Sequence, residues 1–298
     1  MEDQQEAPGL RLPGRCLRVL SFRLLAVDLD GTLVDAAGVV HAEDKLAISA
    51  LAKKGVPTTI ITGRLYSGTR HIAREIGASD ALGCVDGCHL VHGASGKELH
   101  HGGLGGTGAD RVRQLLARHR VTSFVFSNDR IYHDEGGVAY LDYVRTWSVD
   151  HEQVESVTDE RHWENARGVT ALVCIGNEAT IRSVENEIRT SLGHAVYAIA
   201  FPIRRAASSP GWGMVVRAAG YSKGTALVWL AAHYGVAASE VVAVGDWFND
   251  VPMFEVAGRS FVMGQAPDDV KATASDCLRA DSSTGGGIAE AALRAGLL

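Results

Sequence analysis

The chain has 298 residues, 46% hydrophobic and 21% charged, with a formal net charge of −6 at pH 7. Such a composition fits a globular enzyme of one large or two medium domains, and the negative charge excludes a nucleic-acid backbone binder, which needs a basic face. No apolar stretch approaches the roughly 20 residues of a membrane helix, so a soluble protein with no membrane partner is expected. Five cysteines, at 16, 84, 88, 174 and 277, are an odd number without zinc-type spacing. They read as small buried hydrophobes in a reducing, cytoplasmic compartment.

Residues 1–21 mix charges with Pro8 and Pro13 and are expected to be a disordered N-terminal extension. The brief apolar run before Arg23 is too short for a signal peptide. Leu24, Leu25, Ala26 and Val27 then form an apolar run typical of a strand buried on both faces. It stops on Asp28, with Asp30 and Gly31 close behind. A buried carboxylate is costly unless it is paired or bound to metal, so Asp28 is expected where the strand opens into a cleft. Residues 43–54 read as an amphipathic helix with Leu46, Ala47, Ala50 and Leu51 on its apolar stripe. A β-branched strand over 56–61 ends on Thr62-Gly63-Arg64. A helix over 67–76 and a strand over 80–85 follow, the latter ending on Asp86-Gly87. Residues 88–101 read as a hairpin turning at 93–96.

Five glycines fall within seven residues from Gly102; residues 102–108 are expected to be a flexible crossing between domains. Beyond them helices (110–119, 178–190) alternate with strands (123–127, 169–175, 195–199, 214–217), and aromatic residues are denser. The α/β rhythm resumes with a helix over 222–234 and a strand over 241–244. A helix follows Asn249, and a strand spans 260–263. Short helices at 268–274 and 288–295 bracket a last strand near Cys277. Strand–helix alternation with an insertion predicts an α/β protein of two lobes. The core is a Rossmann-like parallel sheet formed by 22–104 and 219–298, and 105–218 is an inserted α+β cap.

The chemistry concentrates at strand ends. Asp28 and Asp30 stand two residues apart, able to bind a hard cation while one of them does chemistry. Lys223 opens a helix, where the dipole disfavours a cation unless a phosphate or carboxylate lies nearby. Val241–Val244 runs into Gly245-Asp246, with Asn249-Asp250 next, and strand-end carboxylates from two strands suit Mg2+. In order, Asp28-Leu-Asp30-Gly-Thr, Thr62, Ser222-Lys223-Gly224 and Gly245-Asp246-x-x-Asn249-Asp250 resemble the four motifs of the haloacid dehalogenase superfamily. With the cap between the second and third motifs and the tail from Met263 to Ala274, the chain looks like a Cof-type phosphatase.

This resemblance implies hydrolysis of a small phosphorylated metabolite, a sugar phosphate or similar, through an aspartyl phosphate. Asp28 is then the nucleophile and Asp30 the general acid and base. Thr62, Gly63, Lys223 and Asn249 hold phosphate, and Asp28, Asp30 (by its backbone carbonyl), Asp246 and Asp250 serve the Mg2+ site. A phosphomutase or phosphotransferase on the same site, or a non-catalytic phosphometabolite-binding protein, are the alternatives. A monomer or weak homodimer is expected. Two positions depart from the family pattern, Asp86 and Gln265, where asparagine is usual. His89/His92 and His100/His101 read as hairpin surface, and Trp147, Trp163 and Trp212 as cap core. Arg130, His133, Arg145 and Arg161 are the cap residues able to read a leaving group.

Overall fold

In the computed structural model, which describes residues 21–159, 163, 168–203 and 211–298, the first apolar run forms β1 (Leu24–Val27), buried throughout. Residues 1–20, most of the expected extension, lie outside the described residues, as do Arg161 and residues 208–210. After β1 come α1 (Ala42–Lys53), β2 (Thr58–Ile60), α2 (Tyr66–Glu75), β3 (Ala81–Cys84), β4 (His89–His92) and β5 (Glu98–His101). The inserted part holds α3 (Gly106–His119), β6 (Thr122–Ser127), β7 (Arg130–His133), α4 (Leu141–Val144) and β8 (His151–Gln153). It continues through β9 (Ala171–Gly176), α5 (Glu178–Leu192), β10 (Val196–Ile203) and β11 (Gly211–Ala218). The core then resumes with α6 (Lys223–His233), β12 (Val241–Gly245), α7 (Val251–Val256), β13 (Arg259–Val262), α8 (Asp268–Lys271), β14 (Asp276–Cys277) and α9 (Gly287–Arg294).

The core sheet has the order β14-β13-β12-β1-β2, every pair parallel. A parallel bridge from Ile61 to Gly83 carries it on to the antiparallel β3-β4-β5. Alternation along β1 explains the two helical layers. Leu25 and Val27 join the apolar cluster that holds Ile48 and Leu51 of α1 and Ile288 and Ala291 of α9. Leu24 and Ala26 join the cluster of Leu227 and Leu230 from α6 and Met253 from α7. A central strand covered on both faces must be apolar at every position, as this one is. The inward face of α1 is Ala47, Ile48 and Leu51 rather than the expected stripe, for Leu46 is 72% exposed. Buried Asp44 accepts hydrogen bonds from the backbone N–H groups of Gly286, Ile288 and Ala289. It thus satisfies orphan donors at the start of α9 and ties that helix to α1.

The cap sheet runs β10-β11-β9-β6-β7-β8, antiparallel except for β7 with β8. Its helices α3 and α5 cover one face around Val112, Leu116, Val184 and Ile188. The opposite face, with Phe124, Phe126 and Ile175, shares a continuous apolar cluster with Leu65 and Tyr66 of the core. Polar contacts fix that docking. Leu65 N–H donates to Trp147 O at 3.0 Å, Ser67 N–H to Asp129 Oδ1 at 3.0 Å, and the Ser67 and Ser148 hydroxyls lie 2.7 Å apart.

The glycine run is not the unpacked crossing expected of it. Leu104 forms an antiparallel bridge with Val169, and Gly106 already begins α3. Gly102 lies flat against the Tyr221 ring, where any Cβ would collide. Glycine serves close approach there, not slack. Gly211, Trp212 and Gly213 pair with β10 as the first residues of β11; the second connection to the core is the stretch 219–222. Trp163 packs inside the cap, donating to Val157 O at 2.8 Å, whereas half-buried Trp147, expected as cap core, packs on the cluster that cap and core share.

Candidate active site

β1 and β12 lie side by side in register, Val27 opposite Val244. From β1 the chain crosses to β2 on one side, and from β12 to β13 on the other. This is a topological switch point, where open α/β sheets bind ligands at the carboxyl ends of the strands. Asp28 and Asp246 stand at those two ends. Gly31, at φ 83°, lets the loop after β1 pass directly over Asp246, whose carboxylate would collide with any Cβ. Asp28, Asp246 and Asp250 each bring a carboxylate oxygen within 4.8 Å of the others.

Lys223 closes the group from above. Ser222 starts α6 with a reciprocal capping box to Thr225, which sets Lys223 as its first helical residue. Its Nζ donates to Asp28 Oδ1 and to Asp250 Oδ1, both at 2.6 Å, and only 1% of the side chain is exposed. Asp250 Oδ2 accepts from the N–H groups of Asp246 and Trp247, each at 2.9 Å. With both oxygens engaged, Asp250 braces the loop and the lysine, while Asp28 and Asp246 face the cleft. Burial raises the Asp28 carboxyl above its ordinary range, Lys223 opposes, and Asp250 and Asp30 add to the rise. Asp246 is raised likewise by burial, then by Asp28 and Asp250. Burial works against the charge on Lys223, but Asp250, Asp28 and Asp86 outweigh it and hold the ammonium protonated. Three carboxylates facing one ammonium leave negative charge uncompensated, and an all-oxygen donor set of this kind fits a hard divalent ion such as Mg2+.

Asp30 points away from this cluster. Its carboxylate is gripped by Arg64 through Nε at 2.7 Å and Nη2 at 2.5 Å, a bidentate pair that fixes orientation as well as charge. Thr62 is fully buried and its Oγ1 accepts from Arg64 N–H at 3.1 Å, leaving the hydroxyl proton for another acceptor. Asn249 donates from Nδ2 to Asp86 Oδ1 at 3.0 Å. Gln265 spans two loops, donating to Gly31 O at 2.5 Å and accepting from Ser282 N–H at 3.3 Å. Above Asp30 and Asp246 opens a cavity of about 580 Å3. Arg64, His71, Gln265 and Ser282 line it from the core, and Asp142, Arg145, Thr146 and Val149 from the cap.

The model of the family described as haloacid dehalogenase-like hydrolase matches residues 25–291. The chain belongs to that family. It is 28% identical over 244 residues to an HMP-PP phosphatase of Citrobacter koseri, covering 82% of this chain and 85% of that protein. Phosphatase YwpJ of Bacillus subtilis is 25% identical over 272 residues, 85% of this chain and 93% of its own length. A haloacid dehalogenase-like hydrolase from Bacteroides thetaiotaomicron shares the fold, with a TM-score of 0.77 at 18% identity over 92% of this chain and 99% of that one.

In this haloacid dehalogenase-like hydrolase, Arg64 is the site residue that sequence reasoning passed over. The signal was its place directly after Thr62-Gly63, but a surface arginine in a turn looks the same in sequence. Of the four cap candidates, Arg145 lines the cavity. Arg130 instead pairs with Glu152 at 2.6 Å, His133 is buried, and Arg161 lies outside the described residues. Among the described residues the hairpin histidines form no metal cluster; His101 meets Thr170 of the cap at 3.1 Å, His100 meets Tyr221 at 3.2 Å, and His92 bonds to Ser95 in the hairpin turn.

Proposed function

We propose that the chain is a cytoplasmic, Mg2+-dependent phosphatase that hydrolyses a small phosphorylated metabolite, a sugar phosphate or similar, through an aspartyl phosphate on Asp28. The observation that carries this is the Lys223 ammonium bridging Asp28 and Asp250 beside Asp246. A structural ion pair needs one carboxylate, not three converging at a strand-end cleft. The Asp28 carboxylate, the Asp30 carbonyl and Asp246 would hold Mg2+, with Asp250 supporting. The ion supplies positive charge to the phosphoryl oxygens.

Asp28 attacks phosphorus, and the leaving oxygen takes a proton that Asp30, an anion in its resting pair with Arg64, has picked up from solvent. Asp30 then deprotonates the water that hydrolyses the acyl phosphate. Arg64 keeps Asp30 aimed at the cavity rather than at the acid cluster. Lys223, the Thr62 hydroxyl, the Gly63 N–H and Asn249 balance the equatorial oxygens. The leaving group would lie in the cavity against Asp142, Arg145, Thr146 and His71. Burial and the Arg64 charge hold His71 below its usual range, so it offers one donor and one acceptor. The described lining contains no Phe, Tyr or Trp, and mixed donors and acceptors without a stacking surface suit a polyol better than a flat heterocycle.

Phosphate release from a panel of sugar phosphates, nucleotides and pyridoxal phosphate, with and without Mg2+, tests the function. Acid-quenched protein should carry phosphate on Asp28. Isomerised substrate without free phosphate would make the protein a mutase, and binding without turnover would make it a sensor.

A further inference from the structure

Asp86 has no part in the mechanism above, yet its carboxylate stands among the groups assigned to the phosphoryl oxygens. It follows β3 at φ 50°, ψ 32°, a left-handed conformation that Asp and Asn tolerate best among residues with a side chain. Its N–H donates to Thr62 O at 2.9 Å, so the turn is bound to the Thr62-Gly63 loop. Its Oδ1 accepts from Asn249 Nδ2 and lies 3.6 Å from where a Gly63 Cβ would sit.

Among the described residues its charge reaches Lys223 from α6, Cys88 on the next turn and Tyr197 from cap strand β10, and the Arg217 charge of β11 reaches the last two as well. Arg217 is turned onto the Tyr221 carbonyl and the Tyr197 ring, and among the described residues Asp86 makes no ion pair. The three carboxylates near Lys223 are balanced by that lysine and a divalent ion, and Asp30 by Arg64. Asp86 is then one negative charge in excess, on the side where a phosphate dianion must come.

We propose that Asp86 makes phosphate binding proton-coupled: the site takes the phosphoryl group together with one proton, held between a phosphoryl oxygen and an Asp86 oxygen. This rests on the phosphoryl site proposed above. Two anionic oxygens in contact do not both stay ionised, and a shared proton turns their repulsion into a short charge-assisted hydrogen bond. The proton comes from solvent and nothing is oxidised or reduced. The preferred substrate is therefore the monoanion, which fades above the second ionisation of a phosphate monoester, near 6.

Calorimetric titration of inorganic phosphate into the Mg2+-loaded protein at pH about 8, in buffers of different ionisation enthalpy, counts the protons taken up. About one per phosphate is expected for the wild type and almost none for Asp86→Asn, which keeps the left-handed turn. Sulfate, always a dianion in this range, should bind Asp86→Asn about tenfold or more tighter than the wild type. If Asp86→Asn misfolds, Asp86→Gly, which also accepts the left-handed turn, takes its place with the same expected loss of proton uptake. Phosphate binding without proton uptake, or with equal uptake in the variant, overturns the inference and leaves the phosphatase standing. No phosphate binding at all would overturn both.

Discussion

Lys223 bears the heaviest electrostatic load in the cleft, an ammonium almost without solvent and 2.6 Å from each of two carboxylates. Removing one partner from a buried ion group leaves the others uncompensated, which costs about 3–5 kcal/mol. Lys223→Met should therefore lose about that much stability in urea unfolding at neutral pH under chelation; a change below about 1 kcal/mol would show that Asp28 and Asp250 relax without it. Asp30 allows a sharper test, because the proposed chemistry uses it twice. An alkoxide needs a proton to leave, and general acid help contributes about 10² to 10⁴ in rate, whereas nitrophenolate leaves unaided. Asp30→Asn should cripple turnover of an alkyl phosphate, yet give a stoichiometric nitrophenol burst from p-nitrophenyl phosphate, with phosphate then held on Asp28. Equal slowing without a burst would make Asp30 structural. Arg64→Lys keeps the charge but loses the fork that grips both Asp30 oxygens, so it should lower turnover of the alkyl phosphate about tenfold or more and, with Asp30 misplaced as base, show a nitrophenol burst as well.

The two connections between core and cap meet where the Tyr221 ring covers Gly102. His100 holds the Tyr221 hydroxyl, and Arg217 the Tyr221 carbonyl. Gly102→Ala should thus cost about 1–3 kcal/mol by overpacking, and Tyr221→Ala in the same chain should recover part of it. That non-additivity, read by a double-mutant cycle, separates the contact from a general effect of each change. Additive losses would mean that the ring simply swings aside. How much could be read from sequence differs by element for a physical reason. Uninterrupted apolar runs ending on acids, such as Val241–Gly245 into Asp246, announce both strand and site position. By contrast β7, α4 and β8 have four, four and three residues, too few for any periodicity. The cavity wall of Asp142, Arg145 and Thr146 therefore stayed hidden as a group, although Arg145 stood out singly. The glycine run misled because composition cannot tell slack from close packing.

At the scale of the whole molecule, the acid cluster couples folding to pH and to the ion. In the metal-free protein the Asp28 carboxyl is raised from 3.8 to about 7 and Asp246 from 3.8 to about 8. For a carboxyl raised on folding, the native state keeps its proton after the unfolded chain has lost it. The associated stability is full below pH about 4 and disappears as pH climbs through 7 and 8. Other carboxylates act in reverse: Asp276, held down by its hydrogen bonds with Arg259 and by Arg294, loses its contribution only as pH falls toward the acid range. Above pH about 6.5, where His71 and His151, both held below the usual imidazole range, no longer add stability as pH rises, the melting temperature of chelated protein should accordingly fall up to pH about 8. Mg2+ binds the deprotonated cluster, so its stabilisation should grow with pH over the same interval, following the logarithm of ion concentration over its dissociation constant. Asp246→Asn should flatten both slopes, since an amide neither titrates nor attracts the cation. A chelated melting curve independent of pH in wild type, or an Mg2+ shift unchanged in Asp246→Asn, would show that the three carboxylates do not act as one ion site.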